Sequence, residues 1–275
     1  MTTKVLITGM SGLIGELVKE KLEQLGSYEL TALNRTNIEG IKTVQADISD
    51  LNSIKQAFVG QDIIIHLAAV LVDADWKQLM AVNINGTYNV FEASRLAGVK
   101  RVVNASSGAT IKGVVKTGGI YKDLEDGEYD NVPKSWEMMT HNDFHPYGLY
   151  GVSKMAGEGL ARHFSDEYKL PIINLRIGTV RPSGIPEEDQ DYSTYLSHRD
   201  TVQAILLAMN APDDILFETF LVTSENKWSY RDIEHFKETL RFAPEDRVED
   251  FRNTANKPVT KRTPTGGYWV NNQGL

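Results

Sequence analysis

Cysteine is absent from this chain of 275 residues. Its absence excludes disulfide bonds, thiolate metal sites and a cysteine nucleophile, and it is typical of the reducing cytoplasm, where we expect this protein to act. Positive charge is also scarce, since 29 Lys and Arg residues stand against 37 Asp and Glu residues. The net charge of −8 argues against nucleic acid as a partner, because a phosphate backbone is bound by a basic face.

Long apolar runs are missing too. None approaches the roughly 20 residues that a membrane-spanning helix needs, and the first strand pattern begins within a few residues of the start. We therefore expect neither a membrane partner nor a signal peptide. Hydrophobic residues still make up 41% of the chain, which is enough for a sizeable core.

A glycine-rich run, Thr8–Gly15, lies near the start of the chain. It follows an apolar run and opens an amphipathic stretch, so a buried strand, a turn and a helix N-terminus occur in this order. Gly9 can adopt backbone angles that a side chain forbids, Gly12 lets a ligand approach the main chain, and Gly15 permits close helix–strand packing. Because a helix N-terminus attracts phosphate, the run predicts a dinucleotide site.

Strand and helix patterns alternate along most of the chain. Apolar, β-branched runs occur at 4–8, 28–33, 42–46, 62–67, 101–106 and 171–177. Helical patterns lie at 13–25, 51–58, 76–97 and 147–168. The alternation predicts an α/β fold, a doubly wound parallel sheet with helices on both faces, and ligands of such sheets bind beyond the carboxyl ends of the strands.

Two segments interrupt this alternation. Residues 108–146 are polar and turn-rich, and residues 179–199 carry prolines before an acidic run; long loops of this kind are typical of a lid or a substrate cap. We divide the chain into a nucleotide-binding part, 1–178, a mixed substrate-cap and core part, 179–251, and a polar tail, 252–275. In the tail, residues 266–270 either dock on a neighbouring subunit or belong to a loose terminus.

The second motif is the pair Tyr150 and Lys154, within the predicted helix 147–168. Residues four apart share one face of a helix, so the phenol and the ammonium group lie together. A nearby cation favours the phenolate and is expected to lower the pKa of Tyr150, as a general base requires. Of the 11 tyrosines only Tyr150 has a lysine four residues later; the alternative is an ordinary surface pair.

With these motifs the chain resembles the extended short-chain dehydrogenase/reductases, also called NAD-dependent epimerase/dehydratases. The resemblance covers roughly residues 4–251. The matching segments, in the order of the family, are Thr8–Gly15, Asp47, His66–Ala69, Asn83–Asn89, Ala105–Ser107 and Tyr150 with Lys154. It implies a Rossmann-type core, a small C-terminal substrate-binding region and a nicotinamide cofactor.

The resemblance also implies roles for individual residues. Tyr150 would be the acid/base, Lys154 would lower its pKa and bind the nicotinamide ribose, and Asn83 would hold the active-site helix and a proton-relay water. The residues implied to bind the cofactor are Gly9, Ser11, Gly12, Leu13, Ile14, Gly15, Asn34, Arg35, Asp47, Ile48, Leu67, Ala68, Ala69, Lys154 and Ile177. No metal site is implied.

One position departs from the family pattern. A Ser or Thr that usually bonds the reacting oxygen is replaced by Gly108. Ser107 or Thr110 would have to serve instead, and we favour Ser107 as the catalytic and substrate-binding hydroxyl. The candidate substrate-binding residues are Ser107, Gly108, Thr110, Tyr150 and Arg181.

The end of the second strand pattern bears on the choice of cofactor. NAD-binding members carry an acidic residue there, which accepts hydrogen bonds from the ribose hydroxyls. Here Asn34 replaces the acid and Arg35 follows. Since Asn removes repulsion and Arg offers a planar fork to a 2′-phosphate, we expect NADP to be preferred over NAD. The alternative is that Arg35 stacks on adenine while Asn34 bonds an unphosphorylated ribose.

Within the family, the resemblance is strongest to sugar-1-dehydrogenases of the uronate dehydrogenase type. It implies oxidation of an aldose or sugar derivative at its anomeric carbon to a lactone. The segment 186–192 is acidic and lacks the arginine that would bind a uronate carboxylate, so we expect a neutral sugar unless Arg181 or Arg199 takes that role.

Several alternatives and secondary expectations remain open. The same residues fit an NDP-sugar epimerase or dehydratase with retained cofactor, an NADPH-dependent carbonyl reductase, or a non-catalytic NAD(P)-sensing protein. The resemblance implies a homodimer formed through the helices 76–97 and 147–168. We expect Arg176 to be a paired framework residue, His66 to shape the backbone, and Asp200 to cap a helix at 201–209.

Overall fold

The computed structural model describes residues 2–71 and 73–251, and in this part of the chain seven parallel strands form one sheet. The strands are β1 Thr3–Thr8, β2 Tyr28–Asn34, β3 Lys42–Gln45, β4 Ile63–His66, β5 Arg101–Ser107, β6 Ile172–Ile177 and β7 Phe217–Val222. Their order is β3-β2-β1-β4-β5-β6-β7, and every neighbouring pair is parallel. The predicted doubly wound α/β fold is thereby confirmed.

Helices connect the strands and cover both faces of the sheet. They are α1 Leu13–Leu25, α2 Leu51–Ile54, α3 Trp76–Gln78, α4 Thr87–Ala97, α5 Ile120–Asp126, α6 Gly148–Tyr168, α7 Asp191–Thr194, α8 His198–Met209 and α9 Glu234–Leu240. A π-helical segment, Leu79–Gly86, joins α3 to α4, so the predicted helix 76–97 is one continuous helical stretch. The six predicted strands agree with the structure to within a residue or two at each end, whereas β7 was not predicted.

Two apolar layers enclose the sheet. One holds Ile7, Val103 and Phe220, and the other holds Leu6, Phe91 and Phe164. Buried strands of this kind place their carboxyl ends along one edge, where ligands of α/β sheets bind. In the described ranges no helix is long and apolar enough to span a bilayer. The predicted tail, 252–275, lies outside the described residues.

The segment 108–146 is folded, contrary to the expectation of a long loop. It contains α5 and short 3₁₀ turns, and a small core of its own packs Ile111, Leu124 and Met139 against Tyr230. Sequence periodicity missed this arrangement because most of the apolar partners come from separate short elements and from the loop after β7.

The cap of α8 also differs from its prediction. The helix begins at His198, and its N-cap is Ser197, whose hydroxyl accepts a hydrogen bond from the Asp200 N–H. Asp200 is buried and its carboxylate accepts from the N–H groups of Glu245 and Asp246. The prediction that Asp200 is the cap was therefore wrong, because its side chain holds a loop that sequence spacing does not place nearby.

Candidate active site

The glycine-rich loop is built around two positions that exclude a side chain. Gly9 has φ +71°, and a Cβ there would lie 2.8 Å from the Ala68 nitrogen. A Cβ at Gly15 would lie 2.4 Å from the Met10 oxygen. The helix α1 begins after Gly12 without a side-chain cap, so N–H groups of its first turn remain available to an anion.

A buried histidine, His66, connects the end of β1 to the start of α4. His66 Nδ1 lies 2.8 Å from Thr8 Oγ1, and Nε2 lies 3.1 Å from Thr87 Oγ1. Thr8 Oγ1 also accepts from the Ala68 N–H, at 3.2 Å. Burial, and then the charge of Lys154, lower the pKa of His66 to about 3, so the ring stays neutral. Its place agrees with the expected framework role.

The carboxyl ends of β2 and β3 border the same loop. Asn34 is buried and donates a hydrogen bond to Ser11 Oγ, while Arg35 is exposed. Asp47 accepts from the N–H of Ser49, and this bond, with the Ser49 hydroxyl, lowers the pKa of its carboxyl. A neutral amide, an exposed guanidinium and a carboxylate thus surround the expected place of an adenosine.

The nicotinamide end of the site lies at β4, β5 and β6. Ala68 contacts the loop at Gly9, and Ile177 ends β6 beside Ser107 of β5. The implied cofactor residues meet along one sheet edge and fit a dinucleotide. Ile48 differs from the others, since its side chain is buried against Gly86 and leaves only its backbone for contact with adenine.

Tyr150, Lys154 and Ser107 are brought together. Tyr150 and Lys154 lie in the first two turns of α6, and Lys154 Nζ is 5.9 Å from the centre of the Tyr150 ring. The ammonium group donates a 2.8 Å hydrogen bond to the Ala105 carbonyl on β5. The helix packs closely on the turn after β5, because a Cβ at Gly151 would lie 2.6 Å from the Ala109 oxygen.

The pKa of Tyr150 shifts in the direction opposite to the prediction. Burial raises it to about 12, and hydrogen bonding to Ser107 opposes this rise. Burial also lowers the pKa of Lys154, to about 8, against a smaller opposing effect of Glu158. The four-residue spacing correctly predicted that Tyr150 and Lys154 lie close together. It could not predict how burial changes the pKa of each group.

Asn83 contacts the helix that carries Tyr150 and Lys154. Its side chain is 2% exposed and is bonded on both ends: Oδ1 accepts from the Val70 N–H, and Nδ2 donates to the Val70 carbonyl and to Ser153 Oγ. Ser153 in turn donates to the carbonyl of Tyr150. The amide therefore links the loop after β4 to the first turn of α6.

A buried ion pair supports the same helix. Arg176 is 1% exposed and donates from Nε and Nη2 to the two oxygens of Glu158, at 2.9 and 2.8 Å. Ser106 donates to the same carboxylate, so β5, β6 and α6 are joined at one point. Arg176 is the framework residue that the sequence predicted.

Two candidate substrate-binding side chains, those of Arg181 and Thr110, are hydrogen-bonded to other parts of the protein. Arg181 is 4% exposed and binds Asp191 through two hydrogen bonds of 3.0 and 2.8 Å. Thr110 is fully buried and donates to the Ser107 carbonyl. Neither side chain is free for a substrate, so the two predictions are corrected; the sequence could not show that Asp191 would cover the guanidinium.

Sequence reasoning missed a buried charged cluster beside Gly108. Lys112 forms an ion pair with Glu125, and Arg231 lies against Gly108. No spacing pattern joins these residues, because they come from the turn after β5, from α5 and from the loop after β7. The only signal was the glycine itself, at a position where the family pattern has a hydroxyl.

Comparisons with known proteins show what this chain is similar to. The model of the NAD dependent epimerase/dehydratase family matches residues 5–198. A uronate dehydrogenase of Agrobacterium fabrum is 32% identical over 264 residues, which cover 95% of this chain and 90% of that protein. An L-arabinose 1-dehydrogenase (NAD(P)(+)) of Haloferax volcanii is 29% identical over 238 residues, or 82% of this chain and 90% of the relative.

Solved structures share the fold. The crystal structure of uronate dehydrogenase from Agrobacterium tumefaciens is 30% identical, with a TM-score of 0.77, and the match covers 94% of this chain and 90% of that one. A mutant of that enzyme complexed with NAD gives 29% identity and a TM-score of 0.77, with 97% and 92% covered. By its sequence and its fold, the chain belongs to the NAD-dependent epimerase/dehydratase family.

Proposed function

We propose that this protein is an NAD(P)-dependent dehydrogenase that oxidises a sugar at its anomeric carbon to a lactone. The observation that carries the proposal is the meeting of Tyr150, Lys154 and Ser107 at the carboxyl edge of the sheet, the edge that also carries the glycine-rich loop. The names of two similar proteins, uronate dehydrogenase and L-arabinose 1-dehydrogenase, support the reaction class.

The residues supply the proton chemistry. Tyr150 takes the proton of the anomeric hydroxyl while the hydride on the same carbon leaves, so that a C=O bond forms and the ring becomes a lactone. Ser107, whose hydroxyl interacts with the phenol, holds the reacting oxygen. Lys154, anchored on the Ala105 carbonyl, presents its ammonium group to the nicotinamide ribose. The bound cofactor supplies the hydride acceptor.

NADP is the cofactor that we propose for this site. The N–H groups of the Ser11–Gly15 turn would hold the pyrophosphate, and Leu67, Ala68, Ala69 and Ile177 would line the channel toward the nicotinamide. NADP preference is supported by the neutral Asn34 and the exposed Arg35 at the end of β2.

A homodimer through the two long helical segments is part of the proposal. Large apolar side chains on these segments are exposed: Trp76 by 42%, Tyr88 by 41%, Leu96 by 58%, Leu149 by 54% and Val152 by 39%. Covering them by the same face of a second copy would remove apolar surface from water on both subunits.

Nicotinamide reduction by the purified protein tests the proposal. NAD and NADP are offered separately with neutral aldoses, sugar phosphates and uronates, and cofactor binding is measured in parallel by fluorescence. We expect stoichiometric reduction with one group of sugars and a lactone that forms before the free acid. Cofactor binding without reduction by any sugar would refute the proposal in favour of an epimerase or a carbonyl reductase.

A further inference from the structure

The replacement of a hydroxyl residue by Gly108 makes room for Arg231. A Cβ atom at Gly108 would lie 3.2 Å from Arg231 Nε and 3.4 Å from Nη2, closer than an unstrained contact. Arg231 is 2% exposed, so its guanidinium is held against the first residue after β5. Gly108 directly follows Ser107 in the chain, so the guanidinium lies against the residue next to the candidate catalytic hydroxyl.

The guanidinium keeps unused hydrogen-bonding capacity. Its Nη1 donates to the Ser193 carbonyl at 3.2 Å. Its Nε is buried and has no hydrogen-bond partner among residues 2–71 and 73–251. An arginine carries five N–H donors in a fixed fork, and a buried donor without an acceptor is costly. The position therefore favours a ligand that brings an acceptor.

The charges around Arg231 do not balance. Lys112 and Arg231 face one buried carboxylate, that of Glu125, which also accepts from Ser193 Oγ and the Tyr230 hydroxyl. Burial alone would raise the pKa of Glu125, but Lys112 and Arg231 together lower it, so the carboxylate is ionised. Within residues 2–71 and 73–251, two cations thus face this one carboxylate, and a buried cation that shares its counter-charge is unfavourable.

Three carboxylates of the acidic run lie around another arginine, Arg181. Asp191 is bound by Arg181 in two hydrogen bonds, and Glu187 and Glu188 lie 3.8 and 3.2 Å from the same guanidinium. The expectation that this run repels a negative sugar was based on its formal charge alone. In the structure Arg181 neutralises part of that run, Arg231 lies beside Gly108, and Lys112 pairs with Glu125.

We propose that Arg231 binds an anionic group at the end of the sugar remote from the reacting carbon. The inference rests on the proposed function and assigns its substrate class: a sugar with a carboxylate or a phosphate at C6. With the anomeric hydroxyl at Tyr150 and Ser107, the far end of the ring reaches the guanidinium beside Gly108. Arg231 is a specificity residue in this scheme, and it replaces Arg181 and Arg199 as the candidate for an anion.

The wild-type protein provides the first test. The value of kcat/KM is measured for galacturonate against galactose and for glucose 6-phosphate against glucose, which separates a carboxylate from a phosphate. We expect at least one anionic sugar to exceed its neutral partner by tenfold or more, and the preference to fall as salt is added. Equal or better use of both neutral sugars would overturn the inference.

Matched arginine variants provide the second test. In Arg231→Gln the ratio of kcat/KM for the anionic sugar to that for the neutral sugar should fall at least thirtyfold, mainly through KM. Arg231→Lys, which keeps the charge but loses the fork, should retain part of the preference. Arg199→Gln removes an exposed arginine paired with Glu245 and Asp246 and should leave the ratio unchanged.

The ratio separates the possible failures. Both substrates are turned over by the same active molecules, so partial unfolding of a variant cancels in the ratio of kcat/KM values. If Arg231→Gln does not fold at all, the wild-type preference and the ratio in Arg231→Lys test the inference. An unchanged ratio in Arg231→Gln would overturn the inference while sugar oxidation stands. Bound cofactor without oxidation of any sugar, neutral or anionic, would refute the proposed function itself.

Discussion

The side-chain amide of Asn34 donates a 2.7 Å hydrogen bond to Ser11 Oγ, which joins the end of β2 to the glycine-rich loop. A change at Asn34 therefore acts on two parts of the cofactor site at once. The amide is neutral, Arg35 beside it is exposed, and the nearby carboxylate of Asp47 is bonded to the Ser49 N–H. This arrangement leads to the first prediction.

Asn34→Asp should reverse the cofactor preference. A carboxylate there repels a 2′-phosphate and accepts hydrogen bonds from the ribose hydroxyls, while Ser11 can still donate to it. We expect the ratio of kcat/KM for NADP to that for NAD to fall by about tenfold or more, roughly 1.4 kcal/mol. Asn210→Asp, at the end of α8, adds the same charge and should leave the ratio unchanged. A wild-type ratio near one would contradict the predicted preference.

Tyr150→Phe should abolish turnover while cofactor binding persists. Loss of a general base costs about 10²–10⁴-fold in rate, and Phe keeps the ring that packs at the start of α6. The measurements are kcat and a fluorescence titration with the cofactor. Tyr147→Phe is the matched control, because Tyr147 precedes the helix and its ring packs near Lys116, and it should change kcat less than threefold. Full activity of Tyr150→Phe would exclude the proposed base.

Sugar oxidation should become faster as pH rises from about 7. Burial raises the pKa of Tyr150 to about 12, so the phenol is protonated at neutral pH, and a base that must be deprotonated gains up to about tenfold per pH unit below its pKa. The slope should weaken above about pH 8, where Lys154 loses its charge. The check is kcat/KM with saturating cofactor across this range, and a flat or falling profile would contradict the assignment.

Glu158→Gln should destabilise the protein strongly. Arg176 would be left buried with an uncompensated charge, and breaking such a pair costs about 3–5 kcal/mol in the free energy of unfolding. Asp166→Asn, on the same helix α6, breaks the exposed pair with Arg162 and should cost at most about 0.5 kcal/mol. Chemical denaturation of both variants provides the comparison. Similar losses in the two would show that the buried pair does not stabilise the fold.

The sequence by itself determined the features that depend on neighbours in the chain. The run Thr8–Gly15 predicted a strand, a tight turn and a helix in order, and the spacing of Tyr150 and Lys154 predicted their common helix face. The alternation of strand and helix patterns predicted the parallel sheet and hence the edge at which ligands bind. These properties are set by backbone angles and by the 3.6-residue period of a helix, which short segments contain in full.

Only the tertiary structure determined which ionisable side chains are buried, which groups they pair with and how their charges balance. In the folded chain Asp191 pairs with Arg181, Tyr150 is buried away from water, and Arg231 packs against Gly108, from which it is 123 residues distant in sequence. Each of these relations joins elements that are distant in sequence, and the free energy of an ionisable group depends on what surrounds it rather than on its chain neighbours. The motif thus predicts where the reaction takes place, and the packing of remote segments is the basis of our proposal for the group that the sugar presents.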